Sequence, residues 1–87
     1  MLLPGDRKPE IDYPCRWSYT LIGGSEKRIR AAVSALLGDT EHTLQFSHLS
    51  KHGNYCSLHL ELEVRDEEHR LSIYRDLHGL VDIRMVL

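Results

Sequence analysis

The stretch His52-Gly-Asn-Tyr-Cys-Ser-Leu-His-Leu-Glu-Leu-Glu-Val64 decides the fold, because its side chains alternate strictly from Tyr55 onward. The apolar set comprises Cys56, Leu58, Leu60, Leu62 and Val64. The other set comprises Tyr55, Ser57, His59, Glu61 and Glu63. Successive side chains of a strand point to opposite faces of its sheet. The pattern therefore predicts a long strand with one buried and one solvated face, which needs further strands beside it and an apolar layer over it.

A strand and a helix precede this stretch. Residues Cys15–Ile22 alternate and are rich in aromatic and β-branched side chains, which favour a strand. The side chains predicted to face inward are Trp17, Tyr19 and Leu21. Gly23-Gly-Ser25 closes this strand, and Ser25 is a suitable N-cap for a helix over Glu26–Leu37. The apolar residues of that segment form one helical stripe, and Gly38 stands at the C′ position, so both ends of the helix are marked.

A second strand and a turn connect this helix to the central stretch. Residues Thr43–Ser50 predict the strand, with Leu44 and Phe46 inward and Leu49 out of phase, as at a bulge or an edge. Residues Lys51–Asn54 predict a hairpin turn. Gly53 and Asn54 are the residues suited to a positive φ.

A second helix and a last strand follow the central stretch. Asp66 is the predicted N-cap, Glu67 and Glu68 suit the first turn, and Gly79 stands at the C′ position. Residues Val81–Leu87 alternate again and predict a fourth strand. Its inward side chains are predicted to be Val81, Ile83 and Met85.

The order of elements is β-α-β-β-α-β, which predicts an α+β, ferredoxin-like domain. Two helices with one apolar stripe each cover one face of a four-stranded antiparallel sheet. Right-handed crossovers place the first and third strands in the centre and the second and fourth at the edges. The central stretch then pairs with the strand that carries Trp17.

Length and composition are those of one small soluble domain, with 87 residues, 41% of them hydrophobic and 28% charged. We expect a flexible tail over residues 1–12 and the folded domain over residues 13–87. The tail has no signal-peptide pattern, and no apolar run approaches the 20 or so residues that span a bilayer. With two cysteines that suit buried strands, the chain is expected to be cytoplasmic. A net charge of −2 disfavours nucleic acid as a partner.

Four short motifs in order, Tyr13-Pro-Cys15, Ile22-Gly23, Gly53-x-Tyr-x-Ser57 and Met85-Val-Leu87, resemble the YbeD-like family of small bacterial proteins. The resemblance covers about residues 13–87, although Arg16–Tyr19 is bulkier than the family pattern. It implies the ferredoxin-like fold and a likeness to ACT-type regulatory domains, which bind small effectors, usually at dimer interfaces. It also implies a link to lipoate, because the family has been suggested to contain lipoate-binding regulators. No residue of this sequence carries that link.

The open face of the predicted sheet is a candidate partner surface. Its named residues are Arg16, Tyr55, Ser57, His59, Glu61, Glu63 and Arg84. Glu61 and Glu63 lie about 7 Å apart by strand geometry, but acid–base catalysis needs one carboxyl with a pKa raised by burial. We therefore predict a solvated charged face and no enzyme. The same acidic positions, with Trp17 inward, disfavour RNA stacking.

Metal and thiol chemistry are not predicted either. His48 and His52 are four residues apart, but strand and turn geometry does not place them on one face, and no cysteine pair accompanies them. Cys56 is expected to be buried and inert. We predict no metal site and no cofactor.

We therefore expect a small binding or regulatory module that senses a small-molecule effector through an ACT-like dimer. The predicted ligand site is the loop Gly23, Gly24 and Ser25, because backbone amides at a helix N-terminus bind anions. The likeness to ACT domains points to the same loop. The alternative is a protein–protein adaptor that uses the open face without a small ligand. Self-association is expected at the strand edges Thr43–Ser50 and Val81–Leu87.

Overall fold

A computed structural model describes residues 11–87 of the chain. Its elements are β1 (Cys15–Gly23), α1 (Glu26–Leu37), β2 (His42–Leu49), β3 (Cys56–Val64), α2 (Glu67–His78) and β4 (Met85–Val86). The sheet order is β2-β3-β1-β4, and all pairs are antiparallel. The predicted ferredoxin-like fold is confirmed. Most of the predicted tail, residues 1–10, lies outside the described residues.

The pairing of β1 with β3 is the frame of the sheet. It runs over nine residue pairs, from Cys15 opposite Val64 to Gly23 opposite Cys56. The inward side chains of both strands meet the two helices, and their apolar parity is as predicted. The fully buried members of the core are Leu21, Ile29, Val33, Leu58, Leu60, Leu62, Val64 and Leu77.

Side-chain caps begin both helices. The Ser25 hydroxyl accepts the N–H of Arg28 at 3.3 Å, and the Asp66 carboxylate accepts the N–H of His69 at 2.7 Å. Both predicted N-caps are therefore confirmed. Gly38 follows α1 with a φ of 56°, a positive value that glycine adopts without strain. Gly79 follows α2 in the right-handed conformation instead.

The hairpin between β2 and β3 differs in part from the prediction. Gly53 has a φ of 71°, as expected, but Asn54 does not have a positive φ. The register shifts between Phe46 and His48, so the predicted irregularity of this strand is present two residues earlier than Leu49. Phe46 was predicted inward, yet 43% of it is exposed, because β2 is an edge strand that the helices do not fully cover.

The predicted fourth strand is largely wrong. Only Met85–Val86 are in β4, and Val86 is buried, whereas Val81 is 92% exposed and Met85 is half exposed. The reason is a pair of tight turns, in which the N–H of Leu80 bonds to Leu77 O and the N–H of Ile83 to Leu80 O, each at 3.1 Å. These turns bring Ile83 into the core without a strand. After these turns the side chains alternate again, but Val86 faces inward where Met85 was predicted to do so.

Candidate functional site

A cavity of about 260 Å³ lies at the end of β1, where the β1–α1 loop meets the segment before β4. It is lined by Gly24, Ser25, Arg28, Val81, Asp82 and Arg84. Two of the three residues of the predicted ligand loop therefore line a real concavity. Arg28, Val81 and Asp82 were not predicted as members of this site. Arg84 was predicted only on the open face.

Gly23 has a structural role rather than a place in the cavity wall. It is buried between two loops, and a Cβ at this position would collide with the backbone carbonyl of Asp82 and approach Cδ1 of Ile29 to 2.9 Å. The missing side chain lets the β1–α1 loop contact the segment before β4. Gly23 was predicted as part of the ligand loop, and the structure gives it a role in close packing.

The cavity has positive electrostatic character. Three other arginines, Arg16, Arg30 and Arg70, form ion pairs with glutamates. Within residues 11–87 neither Arg28 nor Arg84 has a carboxylate within ion-pair distance. The N-terminus of α1 adds the positive end of a helix dipole and first-turn N–H groups that have no acceptor inside the helix. Asp82 is the acidic residue of the cavity wall, so an anion here would meet two guanidinium groups and one carboxylate.

A second, apolar cavity of about 350 Å³ lies beside the first on the open face of the sheet. It is lined by Ile22, Tyr55, Arg84 and Met85. The Arg84 guanidinium lies over the Tyr55 ring, 5.5 Å from its centroid, a distance at which cation–π attraction operates. Arg84 therefore lines both cavities. Met85 contributes because it points to the open face, opposite to its predicted direction.

The remaining open-face residues mostly pair with one another. Arg16 Nε donates to Glu61 Oε2 at 3.1 Å, and Arg16 Nη2 donates to Thr43 Oγ1 at 3.3 Å. His59 Nδ1 lies 3.1 Å from Thr20 Oγ1. Glu63 is exposed. These contacts use the hydrogen-bonding capacity of the face within the sheet itself.

Ser57 was predicted to belong to the open partner surface, but it is buried. Its cross-strand neighbours are Ile22 on one side and His48 on the other. A small side chain between two larger ones is shielded from solvent even on the polar parity. Ser57 is therefore not available to a partner, whereas Tyr55, His59 and Glu63 are exposed.

The thiol and the histidines show no organised chemistry among the described residues. Burial raises the pKa of the Cys56 thiol, and the nearby Glu26 carboxylate raises it further. Between residues 11 and 87, no three metal-ligating side chains of His, Cys, Asp or Glu come together. No helix in this part of the chain is long and apolar enough to cross a membrane.

Residues 8–87 match a protein family described as "Protein of unknown function (DUF493)". The chain belongs to this family. Because the match spans the whole β-α-β-β-α-β unit, it also confirms the YbeD-like resemblance of the four sequence motifs. The DUF493 description assigns no function.

Relatives of this DUF493 chain occur in several bacteria. An uncharacterised protein of Helicobacter pylori is 30% identical over 81 residues, which cover 90% of this chain and 92% of that protein. A UPF0250 protein of Idiomarina loihiensis is 27% identical over 82 residues, covering 88% of this chain and 90% of the relative. A solution structure of an H. pylori protein has a TM-score of 0.80 at 26% identity and covers all of this chain and 97% of its own. The fold is thus shared over the full domain.

Proposed function

We propose that this DUF493 protein is a non-catalytic binding module for a small carboxylic acid with an apolar tail. The observation that carries the proposal is the position of Arg84, which lines both the polar cavity at the α1 N-terminus and the apolar cavity of the open face. A molecule with a charged head and an apolar tail uses both cavities at once. A purely polar acid uses only the polar cavity.

The head group is assigned to the polar cavity. Arg28 and Arg84 supply guanidinium groups, which bind carboxylates through two parallel N–H donors. The first-turn amides of α1 supply further donors. Asp82 limits the charge that the site accepts, because a second anionic group beside it is repelled. This arrangement favours a monocarboxylate.

The tail is assigned to the apolar cavity beside Tyr55 and Met85. Each methylene that leaves water there contributes up to about 0.8 kcal/mol. Affinity is therefore expected to rise with tail length until the cavity of about 350 Å³ is filled. Lipoate, the acid that the family resemblance suggests, has a carboxylate and an apolar tail and is the first compound to test. The likeness to ACT domains supports a sensing role for the same loop.

The test is a thermal-shift titration with acetate, octanoate, lipoate and amino acids. We expect octanoate and lipoate to raise the melting temperature saturably, and acetate to have little effect. A ligand at one hundred times its Kd stabilises the folded state by about 2.7 kcal/mol. The shift should be lost in Arg28→Gln and in Arg84→Gln. Arg16→Gln is the matched control, because Arg16 lies at the far end of β1 in an ion pair with Glu61.

The alternative function, an adaptor that uses the open face, makes the opposite prediction. Here no acid shifts the melting temperature, and a protein partner binds with an affinity that His59→Ala and Glu63→Ala reduce. The pairing of Arg16 with Glu61 and Thr43 favours the small-acid proposal, because little of that face is left unsatisfied. Equal shifts in wild type and Arg28→Gln would refute the site. Equal affinity for acetate and octanoate would refute the role of the tail.

A further inference from the structure

Among residues 11–87, only half of the outer edge of β1 has a backbone partner, because β4 is short. Thr20 exchanges two backbone hydrogen bonds with Leu87, from Thr20 N–H to Leu87 O at 3.0 Å and from Leu87 N–H to Thr20 O at 2.9 Å. In a strand, every second residue directs its backbone groups to the same side. Ser18 and Arg16 therefore point the same way as Thr20. Within residues 11–87 their N–H and C=O groups have no backbone partner on that side.

Helix α2 overlooks this free edge with a stripe of four residues. Glu67, Leu71, Tyr74 and His78 follow the spacing of four, three and four residues that places them on one helical face. Leu71 and Tyr74 are each 40% exposed. Between the stripe and the edge lies a largely apolar cavity of about 310 Å³. It is lined by Trp17, Tyr19, Arg70, Leu71, Tyr74 and Leu87.

We propose that a second copy of this chain binds here, edge to edge, through a two-fold axis at Trp17. The free edge spans residues 15–19, and Trp17 is its middle residue. An antiparallel pairing centred on Trp17 puts Arg16 opposite the partner's Ser18 and Ser18 opposite the partner's Arg16. These are the residues whose free groups point outward, so each of the two pairs exchanges both of its backbone hydrogen bonds. The two sheets then form one continuous sheet of eight strands.

The helices are self-complementary in the same arrangement. A two-fold axis makes the two α2 helices antiparallel, so Leu71 meets the partner's Tyr74 and Glu67 meets the partner's His78. Acidic and basic ends therefore come together, and the apolar pair fills the centre. The middle of the free edge, at Trp17, lies beside the middle of the α2 stripe. Two contacts hold them there: the Arg70 guanidinium stacks over Trp17 at 4.6 Å, and the Tyr19 hydroxyl donates to the Arg70 carbonyl at 2.6 Å.

The small size of this interface predicts a reversible dimer. Stable interfaces bury about 800 Å² on each partner, and a five-residue edge with one helical stripe is smaller than most of them. We therefore expect a dissociation constant in the micromolar range. This inference does not depend on the small-acid site, which lies at the other end of β1.

The first experiment measures mass against concentration by analytical ultracentrifugation of the full chain. Wild type should pass from monomer to dimer as concentration rises, and Leu71→Glu combined with Tyr74→Glu should raise the dissociation constant at least tenfold. Both side chains are exposed, so circular dichroism should show an unchanged fold. Phe46→Glu is the matched control, since it introduces a charge at an exposed aromatic residue on the opposite edge of the sheet. Its dissociation constant should equal that of wild type.

The second experiment tests the antiparallel register by exchanging charges. Glu67→Lys alone and His78→Glu alone should each weaken the dimer, and the double variant should recover most of the loss, which an effect on helix stability alone would not produce. A monomer at every concentration would overturn the proposal. A dimer that Phe46→Glu disrupts and the Leu71/Tyr74 variant does not would also overturn it, because association would then use β2. Additive losses in the double charge variant would refute the register.

Discussion

Leu60 and Glu61 are neighbours in β3, yet their side chains have opposite surroundings. Leu60 has no exposed surface and packs in the core between β1, β2 and the helices. Glu61 is 47% exposed at its side chain and forms an ion pair with Arg16. The helix-covered face of the sheet is thus stabilised by burial, and the open face by a few polar pairs in contact with water. The stability of the domain therefore comes mainly from the helix-covered face, and substitutions at adjacent positions of β3 should differ greatly in their effect.

Binding is expected away from the centres of the two faces. The centre of the helix-covered face is a packed core, and the polar side chains of the open face mostly pair with one another. Both proposed sites lie where a regular element stops. The small-acid site lies at the end of β1, and the dimer surface lies where β4 fails to continue. At these ends and edges, backbone donors, arginines and apolar side chains have no partner within the part of the chain that the structure describes.

Leu60→Asp should have the largest effect. The substitution removes a buried leucine and places a carboxylate in an apolar core with no partner. We expect the free energy of unfolding to fall by more than about 4 kcal/mol, which is most of the stability of a small domain. Circular dichroism and urea titration measure it. Leu60→Met keeps the volume and the apolar character, so a loss below about 1.5 kcal/mol is expected there. A folded Leu60→Asp protein would contradict the assignment of this face.

The regular elements could be predicted because their signals are local. The bounds predicted for α1 agree with the structure, and β3 differs by one residue, since a long alternating or periodic pattern specifies both the type and the buried face of an element. Ser25 and Asp66 mark helix starts through hydrogen bonds to residues three positions on. These signals need no knowledge of the rest of the chain.

The segment after α2 could not be predicted in the same way. Val81, Ile83 and Met85 alternate over too few residues to separate a strand from two tight turns. The decision depends on non-local hydrogen bonds, such as that from the N–H of Arg84 to Ile22 O at 2.7 Å. The presence of Arg28 and Arg84 in one cavity could not be predicted for the same reason. The two residues are far apart in sequence, and only the topology of the sheet brings them together.

Tyr19→Phe should have a moderate effect that depends on pH. Burial raises the pKa of Tyr19 to about 12, although the charge of Arg70 opposes the shift. The substitution removes the hydrogen bond to the Arg70 carbonyl and should lower the free energy of unfolding at neutral pH by about 1 kcal/mol.

Because the folded-state pKa is the higher one, the contribution of Tyr19 is complete below pH 10. It is lost as the pH rises from about 10 to about 12, at up to about 1.4 kcal/mol per pH unit. The difference between wild type and Tyr19→Phe should therefore shrink over that range and then reverse its sign. Urea titrations of both proteins at several pH values measure it, and other groups cancel in the difference. A difference that stays constant with pH would show that Tyr19 is not buried.

Glu61→Ala should have the smallest effect. The ion pair between Glu61 and Arg16 is half exposed on both sides, and such pairs contribute about 0.5 kcal/mol or less. Water replaces the lost partner of Arg16, and the bond from Arg16 to Thr43 can remain. Urea titrations at low and high salt should show a small loss that disappears at high salt.

Glu63→Ala is the control, because within residues 11–87 its carboxylate has no ion-pair partner, and it should show no salt dependence. A loss of several kcal/mol in Glu61→Ala would mean that this face is buried against something, which would make the open face the place to look for a partner.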